Sequence, residues 1–331
     1  LGVPIFELGV DQDWSVERED STLIRVDSTI VALQTGILER RRSLGLGVTL
    51  PRRRVRSYTW FSVAAEWSDR AFVWSEPDAA GPFADSTPID LPPDRAALVS
   101  LSHSTVREYD FSISPERGYF VQTSLEGRRY TRGFGPEDDP EGYLRLIART
   151  RTYTPFPLWG FARHVLAARL SFGTQGGARA AFFRVGGASG TSSLLSEIPG
   201  LRGGSRSFSV RGYGEGAQRG NQALAGTLEY RFPLLLAERG VGVLPLFLDR
   251  IWGDFFADAG TAWCAGECEL LPGALREPAP LWSVGAELGT DFTVGYYAPL
   301  RLRGGVAVPL RDIPGGSRPS PELYLGVGRS F

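Results

Sequence analysis

Few residues in this chain could do chemistry, and none of them forms a catalytic group. His103 and His164 stand alone on alternating segments, with no partners placed for a His-dependent triad. Cys264 and Cys268 lie four apart in a segment that reads as a loop, a spacing suited to a disulfide in an oxidising compartment. With only two histidines, neither near these cysteines in sequence, the spacing argues against a metal site. The glycine-rich stretches at 186–190 and 203–204 lack the strand-to-helix setting of a phosphate loop, so no cofactor is expected and the chain is read as a non-enzyme. The informative stretch is Ser205 to Trp263. A Gly- and Ser-rich loop ends in Val210-Arg211-Gly212-Tyr213, and two strand-like segments follow, LAGTLEYRFP and FFADAGTAW. Each carries one carboxylate, Glu229 or Asp258, on its polar face. The spacing predicts a lid whose single conspicuous arginine folds back towards two acidic strands.

The elements that must position these groups are strands. In LAGTLEYRFP, Leu224, Leu228, Tyr230 and Phe232 share one face, with Thr227, Glu229 and Arg231 on the other. Pro4 to Trp14 alternates in the same way, with Phe6, Leu8, Val10 and Trp14 opposite Glu7, Asp11 and Asp13. Ser43 to Leu50 and Tyr58 to Ser68 repeat the pattern. So do Ala97 to Thr105, Val106 to Ser114, Tyr119 to Arg128, Tyr143 to Arg151, Phe161 to Phe172 and Leu323 to Phe331. There is no apolar run of 18 residues, which excludes a membrane protein built from helices. The remaining way to satisfy backbone polar groups in hydrocarbon is a closed sheet. The expected fold is therefore all-β: one domain over residues 1–331, a closed antiparallel transmembrane β-barrel of 16 strands. A long extracellular loop, about 187–220, folds into its lumen.

Loop lengths support a two-ended barrel. The long segments 77–94, 187–220, 264–279 and 311–321 all follow odd-numbered predicted strands, whereas connections after even ones are shorter. Both termini are then expected on the periplasmic side. Arg145, Arg149, Arg151, Arg163 and Arg169 project inward, where a charge network with Glu7, Asp11 and Asp13 is the favoured reading over an anion-selective path. The chain carries 36 Lys+Arg, all of them arginine, against 37 Asp+Glu, a balance that gives no reason to expect a nucleic-acid partner. It contains no methionine, so a signal peptide and an N-terminal periplasmic domain are expected to precede Leu1.

The order of motifs, VRGY, then EYRFP, then FADAGTAW, then a last strand closing on Phe331, resembles the bacterial surface antigen superfamily of outer-membrane barrel-assembly insertases and two-partner-secretion transporters. The resemblance covers best Phe183 to Phe331. Ser112 to Gly118 (SISPERG) is similar to barrels of that superfamily fused behind Tol-type β-propellers. The resemblance implies that Arg211 lies inside the barrel and pairs with Glu229 and Asp258. The last strand, with Leu323, Leu325, Val327 and Phe331 outward, would be a sorting signal for the assembly machinery. It would also form one side of a seam weakened by Gly326 and Gly328 against the first strand. The implied function is insertion or translocation of polypeptide or lipid at the outer membrane. The alternative is a structural barrel that anchors an N-terminal domain or partner without transport. Expected partners are outer-membrane lipid, lipopolysaccharide, and periplasmic or outer-membrane proteins.

Overall fold

The computed structural model describes residues 2–16, 22–26, 29–33, 38–73, 89–131, 141–177, 182–187, 206–240, 242–266, 275–295, 297–314, 316 and 318–328. In chain order the strands are β1 (Ile5–Val16), β2 (Thr22–Val26), β3 (Thr29–Leu33), β4 (Leu38–Arg54), β5 (Ser57–Val73), β6 (Ile89–Ser104), β7 (Gly118–Tyr130), β8 (Gly142–Phe156) and β9 (His164–Gly177). There follow β10 (Phe183–Val185), β11 (Ser207–Phe208), β12 (Gln218–Gly220), β13 (Gln222–Gly240), β14 (Leu246–Trp263), β15 (Leu281–Val294), β16 (Ala298–Pro309) and β17 (Glu322–Gly328). One antiparallel sheet takes twelve of them in the order β1-β4-β5-β6-β7-β8-β9-β13-β14-β15-β16-β17. Each strand pairs with its nearest large neighbour in sequence, as hairpin-connected walls do.

The polar and apolar faces are inverted relative to a water-soluble sheet. Thr49, Ser62, Ser100, Asp94, Glu126, Glu229, Asp258, Glu287 and Asp291 are buried, whereas Leu44, Leu46, Phe61, Val63, Trp67, Leu228 and Leu288 are exposed. Along the central wall strands alternate residues thus point to a polar interior or an apolar exterior, the pattern of a membrane-spanning β-sheet. On β4 the outward row reads Arg42, Leu44, Leu46, Val48, Leu50, Arg52. Ten residues separate the two arginines, about 33 Å along the strand. Tilted as barrel strands are, that spans about 25 Å of membrane normal, the height of an apolar belt.

The sheet is strongly curled. The β6–β7 connection turns back on itself between Tyr109 and Ser112, yet the Ile113 carbonyl accepts a hydrogen bond of 3.2 Å from Arg301 of β16. β16 lies six strand positions from β7, which in a flat sheet is about 29 Å, out of reach of such a turned segment.

Four expectations are corrected. The main sheet of the described residues has twelve strands where 16 were expected; β2 with β3, and β10 with β11 and β12, form small separate sheets. In addition, Val106 to Ser114 is a connection rather than a strand, while the 77–94 segment expected as a loop already contains the start of β6 at Ile89. Closure is the fourth. Among the described residues no ladder joins β1 to β17, so the sheet is curled but its seam is unpaired. The long connections, including 178–221, 264–280 and 310–321, share one end, and short ones such as 55–56 and 295–297 share the other.

Candidate functional site

The segment between β9 and β13 folds against the polar concave side of the sheet. Its three short strands pair, β10 parallel to β11 and antiparallel to β12. Phe183, Val185, Phe208, Val210 and Tyr213 of this segment pack on Ile147, Ala223, Ala225, Ala262 and Leu281 of the wall. The wall makes room with small residues. A Cβ at Gly173 would lie 2.7 Å from the Phe183 ring, and one at Gly260 would lie 2.7 Å from Val210. Phe183 and Phe208 meet edge to face at 5.5 Å, a favoured aromatic geometry.

Packing of Val210 and Tyr213 fixes what lies between them. Arg211 is 1% exposed. Its Nε and Nη2 donate to the two carboxylate oxygens of Asp258 at 2.7 and 2.8 Å. Nη1 donates to Glu287 at 2.8 Å and Nη2 also to Glu229 at 3.1 Å. The Arg211 backbone N–H donates to Asp258 at 3.1 Å, and the guanidinium carbon sits 3.4 Å from the Phe256 ring centroid. The fork matches a carboxylate in a way that a lysine ammonium could not. Burial works against the charged guanidinium, but the Asp258 hydrogen bond and charge, then Glu229 and Glu287, outweigh it and raise its pKa above the ordinary arginine value. Gly212 follows at φ +84, and a Cβ there would lie 3.2 Å from Ala307. Tyr213 Oη lies 2.8 and 2.9 Å from the carbonyls of Trp282 and Arg311 and shares its one proton between them.

Glu287 of β15, Phe256 and Tyr324 complete this cluster and were not singled out from the sequence. Tyr324 of β17 donates to Glu287 at 2.5 Å, which links Arg211 to the last strand through one carboxylate. Arg231 holds the second oxygen of Glu229 at 2.5 Å. The inward alternation of AELGTDF was the available signal for Glu287.

A second inward segment closes the short-turn end. In the β6–β7 connection Ser112, Ile113, Ser114 and Glu116 are buried. Arg250 of β14 donates to the carbonyls of Ser112 and Asp110, and Arg301 is held by Asp291 at 2.6 and 2.8 Å. Three adjacent strands therefore carry the anchors of both inward segments: β14 through Asp258 and Arg250, β15 through Glu287 and Asp291, β16 through Ala307 and Arg301.

Other expected residues are distributed as follows. Arg145 pairs with Glu126 and Gln175 rather than with the acids of β1. Arg163 lies 3.8 Å from Glu116, Arg169 donates to Thr227 at 3.2 Å, and Arg149 and Arg151 lie over Phe208 and Phe120. Cys264 is disulfide-bonded, and its expected partner Cys268 falls outside the described residues. Leu323 and Leu325 are exposed at 84% and 72%, and Gly326, Val327 and Gly328 pair with Arg303, Leu302 and Arg301 of β16. Phe331 lies outside the described residues. His164 bonds Tyr230 at 2.7 Å and the Trp159 carbonyl at 2.8 Å, a structural role.

A twelve-stranded membrane sheet with an inward arginine segment defines a class of outer-membrane barrel. An Omp85 superfamily domain matches residues 37–331, and the chain belongs to that superfamily. Membership places it among bacterial outer-membrane β-barrels. Among solved structures, BamA from Haemophilus ducreyi lacking POTRA domains 1–3 is similar in fold: TM-score 0.50 and 13% identity, covering 88% of this chain and 55% of that one. The chain thus spans about half the length of that relative. The β domain of the Bordetella autotransporter BrkA matches at TM-score 0.30 and 12% identity over 99% of this chain and 98% of that one, too distant to carry an argument. No curated protein matches the chain.

Proposed function

We propose that this barrel takes part in insertion or translocation of polypeptide or lipid at the outer membrane, with β1 and β17 as the two sides of a lateral gate. The observation that carries this reading is the Arg211 cage. It joins the lid to β13, β14 and β15, and through Glu287 and Tyr324 to β17, the edge strand of the unpaired seam. A seam strand tethered to a buried lid can be held or released by the same charge cluster. Exposed Phe6, Leu8 and Val10 on β1 and Leu323 and Leu325 on β17 give this edge an apolar lining suited to lipid or an incoming strand. The grouping of long connections at one end supports external loops there and both termini in the periplasm.

Reconstituted in liposomes, the chain should speed insertion of a urea-unfolded outer-membrane barrel several-fold over empty liposomes. A bis-maleimide crosslink between Leu8→Cys and Leu325→Cys should remove that gain. Equal insertion rates with and without the chain would instead support the anchoring role.

A further inference from the structure

We propose that the β4–β5 hairpin is a binding site for the phosphate of an anionic phospholipid, in the leaflet at the short-turn end. The argument starts from one face of β4. Leu44, Leu46, Val48 and Leu50 point outward, and the same alternation then places Arg52 and Arg54 on that face. The apolar belt therefore ends in two arginines about 7 and 13 Å beyond Leu50 along the strand. Neighbouring strands end their belts at the same level. Arg52 is paired with Thr59 and Thr59 with His103, whose side chains share a 2.7 Å hydrogen bond.

The hairpin tip adds a third cation and an apolar residue. Arg56 is exposed, and Val55 is 101% exposed. Among the described residues Arg52, Arg54 and Arg56 have no ion-pair partner, in contrast to the paired wall arginines Arg128, Arg145 and Arg301 and to Arg211 of the inward segment. The nearby β6–β7 connection carries charges of both signs, with Glu108 and Asp110 exposed at its turn. Glu116 is buried against Ser112, while Arg107 and Arg117 oppose each other across a bridge at the base of the connection. Unpaired guanidiniums at the edge of a lipid-facing belt complement a headgroup phosphate, which they can grip through two N–H donors. Exposed Phe61 and Leu101, on the outward row just inside that edge, would lie along the acyl chains. The site is independent of the Arg211 cage and of whether the seam opens; it rests only on the membrane-spanning reading of the belt.

The test is native mass spectrometry of the purified chain in detergent, titrated with dioleoyl phosphatidylglycerol or dioleoyl phosphatidylcholine. The chain should retain phosphatidylglycerol about tenfold over phosphatidylcholine at low salt, falling as salt rises. Arg52→Gln/Arg54→Gln/Arg56→Gln should bring the ratio close to one, whereas Arg42→Gln at the far rim of the belt should leave most of it. Heat-modifiable gel mobility reports folding. If the triple variant loses it, the three single variants are compared, each expected to lower the ratio severalfold. The proposal fails if the chain shows no preference or if the folded variants keep it. It also fails if inorganic phosphate or a polyglutamate peptide at equal concentration displaces the lipid, since the site would then suit a free anion or an acidic protein.

Discussion

Arg211 offers five N–H donors in a rigid fork, and four of its side-chain hydrogen bonds go to carboxylates on three strands. Removing the guanidinium would leave Glu229, Asp258 and Glu287 buried without their shared cation. Truncating one partner of a buried ion pair costs about 3–5 kcal/mol. Arg211→Ala should therefore lower the temperature at which heat-modifiable mobility is lost and expose the 178–221 segment to protease. Arg211→Lys should lie between the two, because an ammonium cannot engage Asp258 through both oxygens. Arg211→Ala/Asp258→Asn should recover part of the loss by removing one orphaned charge. Unchanged gel behaviour and proteolysis in Arg211→Ala would remove the cage from the account. At this scale the sequence was informative. Alternation alone set Glu229 and Asp258 inward, since adjacent side chains of a strand must face opposite ways.

At the scale of elements, β14 to β16 act as a common wall. Phe256 and Trp252 share the inward face of β14 with Asp254 between them, and Gly285 and Gly289 of β15 make space for the two rings; a Cβ at Gly289 would come within 2.2 Å of the Trp252 ring. Arg211 sits over Phe256 and Arg301 over Trp252, so the two inward segments rest on one packed column. Each hydrogen bond from a charged group contributes about 1.5–3 kcal/mol. Arg250→Ala/Arg301→Ala should release the β6–β7 connection, read as new cleavage within 105–117 while the Arg211 segment stays protected. Cleavage in both segments would mean that the wall itself had loosened, and cleavage in neither would deny the anchors their role. This connection was not legible in the sequence. Its Ser, Pro and Glu residues announce a turn, but nothing local says that a turn points into the interior. Alternation likewise identifies a strand without naming its sheet, so it could not show that β2 and β3 pair apart from the wall.

For the whole molecule, described segments enter the interior from both ends, which opposes a passive pore. In planar bilayers the chain should conduct weakly. Arg211→Ala alone should change this little, because the short-turn end stays filled. Combining it with Arg250→Ala/Arg301→Ala should raise conductance several-fold. Large steady currents from the unaltered chain would reverse that view and favour an open channel. By itself the sequence determined the all-β class, the membrane-facing side of each long strand, and the order of motifs that marks the superfamily. All of these follow from the two-residue period of a strand, which needs only neighbouring residues. The tertiary structure alone decided that twelve strands share the wall among the described residues, that Glu287 and Tyr324 join the Arg211 cage, and that residues 105–117 reach across the interior. Those depend on register and curl, which arise from contacts between residues far apart in the chain and leave no periodic trace along it.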